Sequence, residues 1–103
     1  MSKKMVIQVD ADLEAIMPRY LEIRWKELLE LEGAVGDRDF DQIRMLGHKL
    51  KGTGSAYGLD ELSRLGALIE ERAVEKEMED VPESAASVRT FLENLEVEYV
   101  EMD

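Results

Sequence analysis

The chain has 103 residues, of which 24 are Asp or Glu and 13 are Lys or Arg, so its formal net charge is -11 at pH 7. This length suits one domain, and the acidity argues against nucleic acid and anionic membranes as partners, because both attract clustered Lys and Arg. The sequence has no cysteine and one histidine, which excludes disulfides, thiolate zinc sites and multi-histidine metal centres within one chain.

The first residues carry only three consecutive apolar side chains, at 5–7, fewer than the roughly seven of a signal-peptide core. No apolar run approaches the roughly 18 residues that span a bilayer. We therefore expect a cytoplasmic protein. Residues 1–9 are predicted to form an N-terminal extension laid against a domain at 10–103, and Asp10 or Asp12 to cap a short helix through Ile16.

Three longer helices follow with recognisable boundaries. Pro18 suits the first turn of a helix that ends at Gly33 and Gly36. Asp39 with Gln42 three residues on is a capping-box pattern that opens a second helix, closed by Tyr57 and Gly58. The third helix has one apolar stripe on its inner face, and Gly66 would allow a neighbouring helix to approach closely. The stripe comprises Leu59, Leu62, Leu65, Ile69 and Ala73.

A fourth helix is predicted to start around Asp80 and Pro82, after a charged loop at 75–80. Its stripe comprises Val88, Phe91, Leu92, Leu95 and Tyr99. We find no period-two alternation that would indicate paired strands. The predicted fold is all-α: an antiparallel, up-and-down four-helix bundle with a short additional N-terminal helix.

The second helix carries the most unusual stretch of the chain. Residues 47–58 contain four glycines and the histidine, and 42–59 contain no Asp or Glu. On a helical wheel His48 lies opposite the core stripe, and the residues that share its side are Arg44, Lys51, Gly52 and Ser55. A glycine inside a helix costs about 1 kcal/mol relative to alanine. We interpret Gly47, Gly52 and Gly54 as leaving a bare surface beside the histidine.

An exposed imidazole offers nucleophilic chemistry. Neutral imidazole keeps a nucleophilic nitrogen at pH 7, and histidine forms covalent intermediates. A phosphoryl group on His48 would bring negative charge that Arg44 and Lys51 can offset, and a partner would have to supply an acidic, metal-bearing site for transfer. A phosphate-binding loop and a serine triad fit less well, because the required residue order is missing. From the residues alone, an ordinary surface histidine remains the leading interpretation, ahead of a reactive one.

The run His48-Lys49-Leu50-Lys51-Gly52, followed by small residues and Gly58-Leu59, resembles the signature of histidine-containing phosphotransfer (HPt) domains. The similarity extends over roughly residues 10–100 and includes Pro18, Arg24 and Leu28. It implies that His48 accepts a phosphoryl group, on the ring nitrogen remote from the main chain, from a kinase or a receiver-domain aspartate. His48 would then pass the group to another receiver aspartate.

The resemblance also implies roles for neighbouring residues. Lys51 would offset phosphate charge and Gly52 would leave room for the receiver, with Arg44 as further charge support and Met45 and Ser55 as docking surface. The chain would be a phosphoryl carrier rather than an enzyme, with no ATP site, metal or cofactor of its own; magnesium would belong to the receiver. The implied partners are a response regulator receiver domain and a histidine kinase, hybrid kinases included. We expect a monomer.

Glu70 lies 22 residues after His48, where relay members of the family often have glutamine; the phosphotransfer domain of chemotaxis-type kinases is similar to this chain in having glutamate. A carboxylate on the inner ring nitrogen would fix the histidine tautomer, and the alternative is an ordinary surface glutamate. Two functional alternatives stay open: a dedicated substrate of a chemotaxis-like kinase, and a helical protein-binding module that never carries phosphate.

Overall fold

The computed structural model describes residues 4–102, so residues 1–3 of the predicted extension and Asp103 lie outside the described residues. Four helices dominate: α1 (Met17–Gly36), α2 (Phe40–Gly54), α3 (Asp60–Val74) and α4 (Val81–Asn94). Two strands flank them, β1 (Met5–Asp10) and β2 (Leu95–Val100). Within this part of the chain, no helix is both long enough and apolar enough to cross a bilayer.

The helices form the predicted four-helix bundle. α1 packs against α2 and α4, and α3 packs against α2 and α4, which closes the ring of an up-and-down bundle. The apolar stripes meet in one core, and side chains without solvent exposure include Met17, Leu28, Leu31, Ile43, Leu46, Leu62, Ile69 and Val88. Their burial is the main stabilising term of the fold.

Most helix boundaries follow the predicted local signals. The short N-terminal helix is a 3₁₀ turn at Ala11–Leu13, where the Asp10 carboxylate accepts the N–H of Asp12 at 2.9 Å. The Asp39 carboxylate accepts the Gln42 N–H at 3.1 Å and caps α2. After Gly54 the chain continues as a 3₁₀ turn through Tyr57, and Gly58 closes it in the left-handed conformation at φ 79°.

The fourth helix begins where predicted but without a side-chain cap. Asp80 precedes α4 with φ 71° and its carboxylate accepts no capping hydrogen bond. Instead, an Asp80 carboxylate oxygen lies 3.7 Å from a guanidinium nitrogen of Arg72. The chain therefore enters α4 through a left-handed residue that faces the end of α3.

The prediction that the chain lacks paired strands is wrong. β1 and β2 pair in parallel, from Met5 opposite Leu95 to Asp10 opposite Val100. Leu95 and Tyr99 both belong to β2 rather than to the last helix. Apolar and acidic residues alternate in β2, but Leu92, Leu95 and Tyr99 also fit a helical spacing, so the local pattern is ambiguous. The pairing partner lies about 90 residues away, which leaves no local signal.

Glycines bring α2 and α3 unusually close. A Cβ on Gly47 would lie 2.7 Å from the Glu70 nitrogen and 2.9 Å from the Gly66 oxygen, and a Cβ on Gly54 would lie 2.7 Å from the Ser63 nitrogen. The interpretation of Gly47 and Gly54 as bare surface is therefore wrong, because both admit the backbone of α3. Gly52 alone of the three faces open space, with nothing within 4 Å of its Cβ position.

Candidate functional site

His48 lies in the middle of α2, at the seam with α3. Its side chain is 65% exposed, and its Nδ1 lies 2.8 Å from Oε2 of Glu70 on α3. The close contact of the two helices at Gly47 and Gly66 places Glu70 next to the turn that carries His48. His48 and Glu70 are 22 positions apart, and they make this contact because Gly47 and Gly66 have no side chains to keep the two helices apart.

The Glu70 carboxylate joins His48 to Lys51. Its second oxygen, Oε1, lies 2.6 Å from Lys51 Nζ, and the Glu70 side chain is only 18% exposed. The hydrogen bond from Lys51, and secondarily that from His48, holds the pKa of Glu70 below its ordinary value despite partial burial. Glu70 is therefore ionised at neutral pH and can only accept hydrogen bonds.

This geometry fixes the protonation of the imidazole. Because Glu70 is an acceptor, His48 Nδ1 must donate, and the neutral ring then carries its lone pair on Nε2. Nε2 makes no hydrogen bond with any residue between 4 and 102. The site therefore presents one oriented nucleophilic nitrogen to solvent.

The other predicted site residues lie on the exposed side of α2 and in the turn that follows it. Arg44 is exposed and makes no ion pair with the described residues, Met45 is 41% exposed, and Gly52 is open. Ser55 is exposed in the 3₁₀ turn, where its N–H donates to Ser63 Oγ at 2.7 Å. The structure thus links His48, Lys51 and Glu70 by hydrogen bonds and ion pairs. Among the described residues it shows no hydrogen bond or ion pair from Arg44, Met45, Gly52 or Ser55 to the imidazole.

Comparison of the sequence with protein-family models gives a match to the Hpt domain over residues 25–98 of the 103. The chain belongs to the Hpt family. No curated protein and no solved structure matched in the corresponding searches. Hpt domains are phosphocarrier modules of two-component phosphorelays; they interact with receiver domains and kinases and are not kinases themselves.

Among residues 4–102, the side chains around His48 do not form a cluster that could hold a metal ion. Residues 4–102 contain no group of three or more His, Asp or Glu side chains that could hold a metal ion. The acidic residue at the site, Glu70, already uses both oxygens on Lys51 and His48. The described side chains therefore supply a nucleophile and cations.

Sequence reasoning missed a second polar cluster of the Hpt domain, between α1 and α2. Arg24 is buried and its Nη1 donates to Thr53 Oγ1 at 2.5 Å, while its guanidinium lies 4.7 Å from the ring of Tyr20. The rings of Tyr20 and Tyr57 are 3.9 Å apart. The one signal in the sequence was Arg24, a charged residue on the inward side of α1. Its partner Thr53 lies 29 residues away, so no local pattern predicts the contact.

A surface cleft of about 360 Å³ opens beside this cluster. It runs between the start of α1 and the end of α2, and its lining includes Ile16, Tyr20, Ile23, Thr53 and Tyr57. Ile16 is 47% exposed at its edge. The Hpt domain therefore offers an apolar surface on the α1 side of the helix that carries His48.

Proposed function

We propose that this Hpt domain carries a phosphoryl group on Nε2 of His48 between a histidine kinase or receiver aspartate and another receiver aspartate. One observation supports this most: an exposed Nε2 whose ring is oriented by an ionised carboxylate on Nδ1. Such an arrangement supplies a pre-positioned nucleophile. The partner would supply the phosphoryl group and the acidic, metal-bearing site that its transfer requires.

The proposed step conserves atoms and charge. The Nε2 lone pair attacks the phosphorus of an aspartyl phosphate, a nitrogen–phosphorus bond forms, and the acyl oxygen–phosphorus bond breaks. The bonding electron pair leaves with the aspartate as a carboxylate. The proton on Nδ1 stays between His48 and Glu70, whose negative charge offsets the positive charge of the phosphorylated ring. Transfer to the next receiver reverses these events.

Cations near His48 fit the charge that such a step brings. A phosphoryl group adds roughly two negative charges at neutral pH. Arg44 lies one turn before His48 and Lys51 one turn after it, and Lys51 Nζ is already held beside the imidazole through Glu70. We propose that both cations offset phosphate charge, Lys51 by exchanging part of its contact with Glu70 for the phosphate.

The docking surface is proposed to centre on Gly52. Its Cβ position faces open space, so a receiver can approach His48 over this turn without meeting a side chain. Met45 and Ser55 lie at the edges of the same surface, and the apolar cleft at Ile16 extends it toward α1. The acid-free stretch at 42–59 would attract the acidic, magnesium-binding site of a receiver.

We further propose that the domain acts as a monomer in the cytoplasm, with a response regulator receiver domain and a histidine kinase, hybrid kinases included, as partners. It would need no cofactor of its own, since magnesium would be bound by the receiver. The contact between Glu70 and His48 favours one variant of this proposal: a domain phosphorylated directly by a chemotaxis-like kinase. That variant makes the kinase, rather than a receiver, the donor.

Phosphoryl transfer is the direct test. The purified domain is incubated with ³²P-labelled phosphoreceivers and with autophosphorylated kinases, alongside His48→Gln and the control Lys76→Gln, which alters an exposed residue after α3. We expect label that is acid-labile and base-stable in the parent and in Lys76→Gln, and none in His48→Gln. Label that persists in His48→Gln would contradict His48 as the acceptor, and no label from any donor would instead favour a protein-binding module.

A further inference from the structure

Arg24 is a buried cation whose hydrogen bond leads to the backbone of α2. Its side chain is 8% exposed, and its Nη1 donates to Thr53 Oγ1 at 2.5 Å. The same hydroxyl donates to the carbonyl oxygen of Lys49 at 3.0 Å. A continuous path of hydrogen bonds therefore runs from α1 to the residue that follows His48.

The guanidinium has little freedom to move. Its Nε lies 2.8 Å from Oε1 of Glu27, which is also buried, and the Tyr20 ring covers it at 4.7 Å. The Nε and Oε1 atoms are close enough for an ion pair but are not aligned as a hydrogen bond. The bond to Thr53 is thus the hydrogen bond through which this buried arginine acts on α2.

The segment of α2 that receives this bond is intrinsically weak. Gly47, Gly52 and Gly54 all lie within eight residues of the helix, and each glycine lowers helix propensity. On the α3 side this segment is held by Ser63, whose hydroxyl donates to the Lys51 carbonyl at 3.0 Å. On the α1 side it is held by Arg24 through Thr53. The two contacts hold this segment on its α1 side and on its α3 side.

The orientation of His48 depends on how α2 is turned about its own axis. Nδ1 reaches Glu70 on α3 at 2.8 Å, a distance that tolerates little rotation of α2 before the hydrogen bond is lost. We propose that Arg24, acting through Thr53, is a positioning residue that keeps His48 oriented on Glu70 with Nε2 outward. This inference rests on the proposed phosphotransfer function for its consequence, but its geometry can be measured without any phosphoryl donor.

The first experiment uses NMR on the unphosphorylated protein. Thr53→Val keeps the shape of the side chain and removes the hydroxyl, Thr53→Ser keeps the hydroxyl, and Thr90→Val is a control on an exposed position of α4. In Thr53→Val we expect the ¹⁵N shifts of the two His48 ring nitrogens to converge, as the single tautomer is lost, and amide exchange at 49–54 to accelerate. Thr53→Ser and Thr90→Val should match the parent.

The second experiment measures transfer from a phosphoreceiver at saturating concentration. The maximal rate should fall about ten-fold in Thr53→Val, as expected for a misplaced nucleophile, while the receiver concentration at half-maximal rate stays unchanged. Thr53→Ser should restore the rate. If Thr53→Val does not fold, Arg24→Lys, which keeps the charge but shortens the reach, is expected to give the same two changes.

Parent-like ring shifts together with a parent-like rate in Thr53→Val would overturn the inference, and so would a Thr53→Ser variant as impaired as Thr53→Val. Failure of the proposed function looks different. In that case the parent protein takes no label at all, while the ring shifts and amide exchange still report whether Arg24 positions His48.

Discussion

The carboxylate of Glu70 serves two neighbours at once, because one oxygen accepts from His48 and the other from Lys51. This sharing keeps a single negative charge beside the inner ring nitrogen and holds the Lys51 ammonium on the other carboxylate oxygen. A phosphate on Nε2 would be separated from Glu70 by the ring itself. Glu70 can therefore orient the imidazole without facing the phosphate directly.

Glu70→Gln tests this orientation. Glutamine fits the same space but carries no charge and can either accept or donate, so we expect His48 to become a mixture of its two neutral tautomers. The ¹⁵N shifts of the ring nitrogens at pH 8 measure the ratio. Glu71→Gln changes an exposed neighbour on α3 and should leave the shifts unchanged. Identical shifts in Glu70→Gln and the parent would remove the proposed role of Glu70.

The lowered pKa of Glu70 also predicts a pH-dependent stability. A carboxyl group whose folded pKa lies below its ordinary value of 4.5 stabilises the protein above that value, and this contribution is lost as the pH falls through the folded pKa. Because Lys51 and His48 are largely exposed, we expect Glu70→Gln to cost about 0.5 kcal/mol at pH 7. Urea unfolding should show this difference shrinking as the pH falls below 4.5; a constant difference would contradict it.

At the scale of the elements, α2 uses its glycines for two purposes. Gly47, with Gly66 opposite, lets α2 and α3 touch through their backbones and so brings Glu70 to His48. Gly52 has no such contact and only weakens the helix. A glycine at this exposed position is consistent with a partner that approaches there.

Alanine at these two glycines should have opposite effects on stability. Gly52→Ala adds a methyl group into open space and improves helix propensity, so we expect a gain of about 1 kcal/mol. Gly47→Ala would place a methyl group 2.7 Å from the Glu70 nitrogen, and we expect a loss of about 2 kcal/mol or more from overpacking. Thermal and urea unfolding measure both, and a stabilised Gly47→Ala would show that the helices can separate at no cost.

At the scale of the whole molecule, the β1–β2 sheet joins segments that lie before and after the bundle. Val9 of β1 is 1% exposed, and its Cγ2 would lie 3.5 Å from a Cβ on Gly58, in the turn that ends the helical segment carrying His48. Arg89 of α4 adds a second tie with two 2.7 Å bonds to both carboxylate oxygens of Glu32 on α1. These contacts tie β1 to the turn after α2, and α4 to α1.

Val9→Ala should therefore lower stability and leave the chemistry intact. Removing two buried methyl groups costs about 2 kcal/mol, whereas Val6→Ala, at a position that is 53% exposed, should cost little. Urea unfolding gives the difference, and phosphoryl transfer to His48 should proceed at the parent rate in both variants. A folded Val9→Ala with slower transfer would show that the sheet influences the site.

How much the sequence predicted depended on how far apart along the chain the interacting residues lie. Helix starts at Asp39 and Pro18, and the stripe of α3, are encoded within a few neighbours and were predicted. The sequence left two possibilities for Glu70, a contact with His48 or an ordinary surface position, and the glycine contact between α2 and α3 is what brings it to His48. The strand pair and the bond from Arg24 to Thr53 join residues 90 and 29 positions apart, and no local pattern reports such pairings.

The central claim concerns one nitrogen atom, and the most direct measurement identifies which ring nitrogen of His48 bears the phosphate. The ¹⁵N-histidine-labelled domain is phosphorylated by its donor and examined at pH 8 for coupling between ¹⁵N and ³¹P. We predict that the coupling appears at Nε2, with the proton still on Nδ1. Coupling at Nδ1, or phosphate on any other residue, would contradict the account.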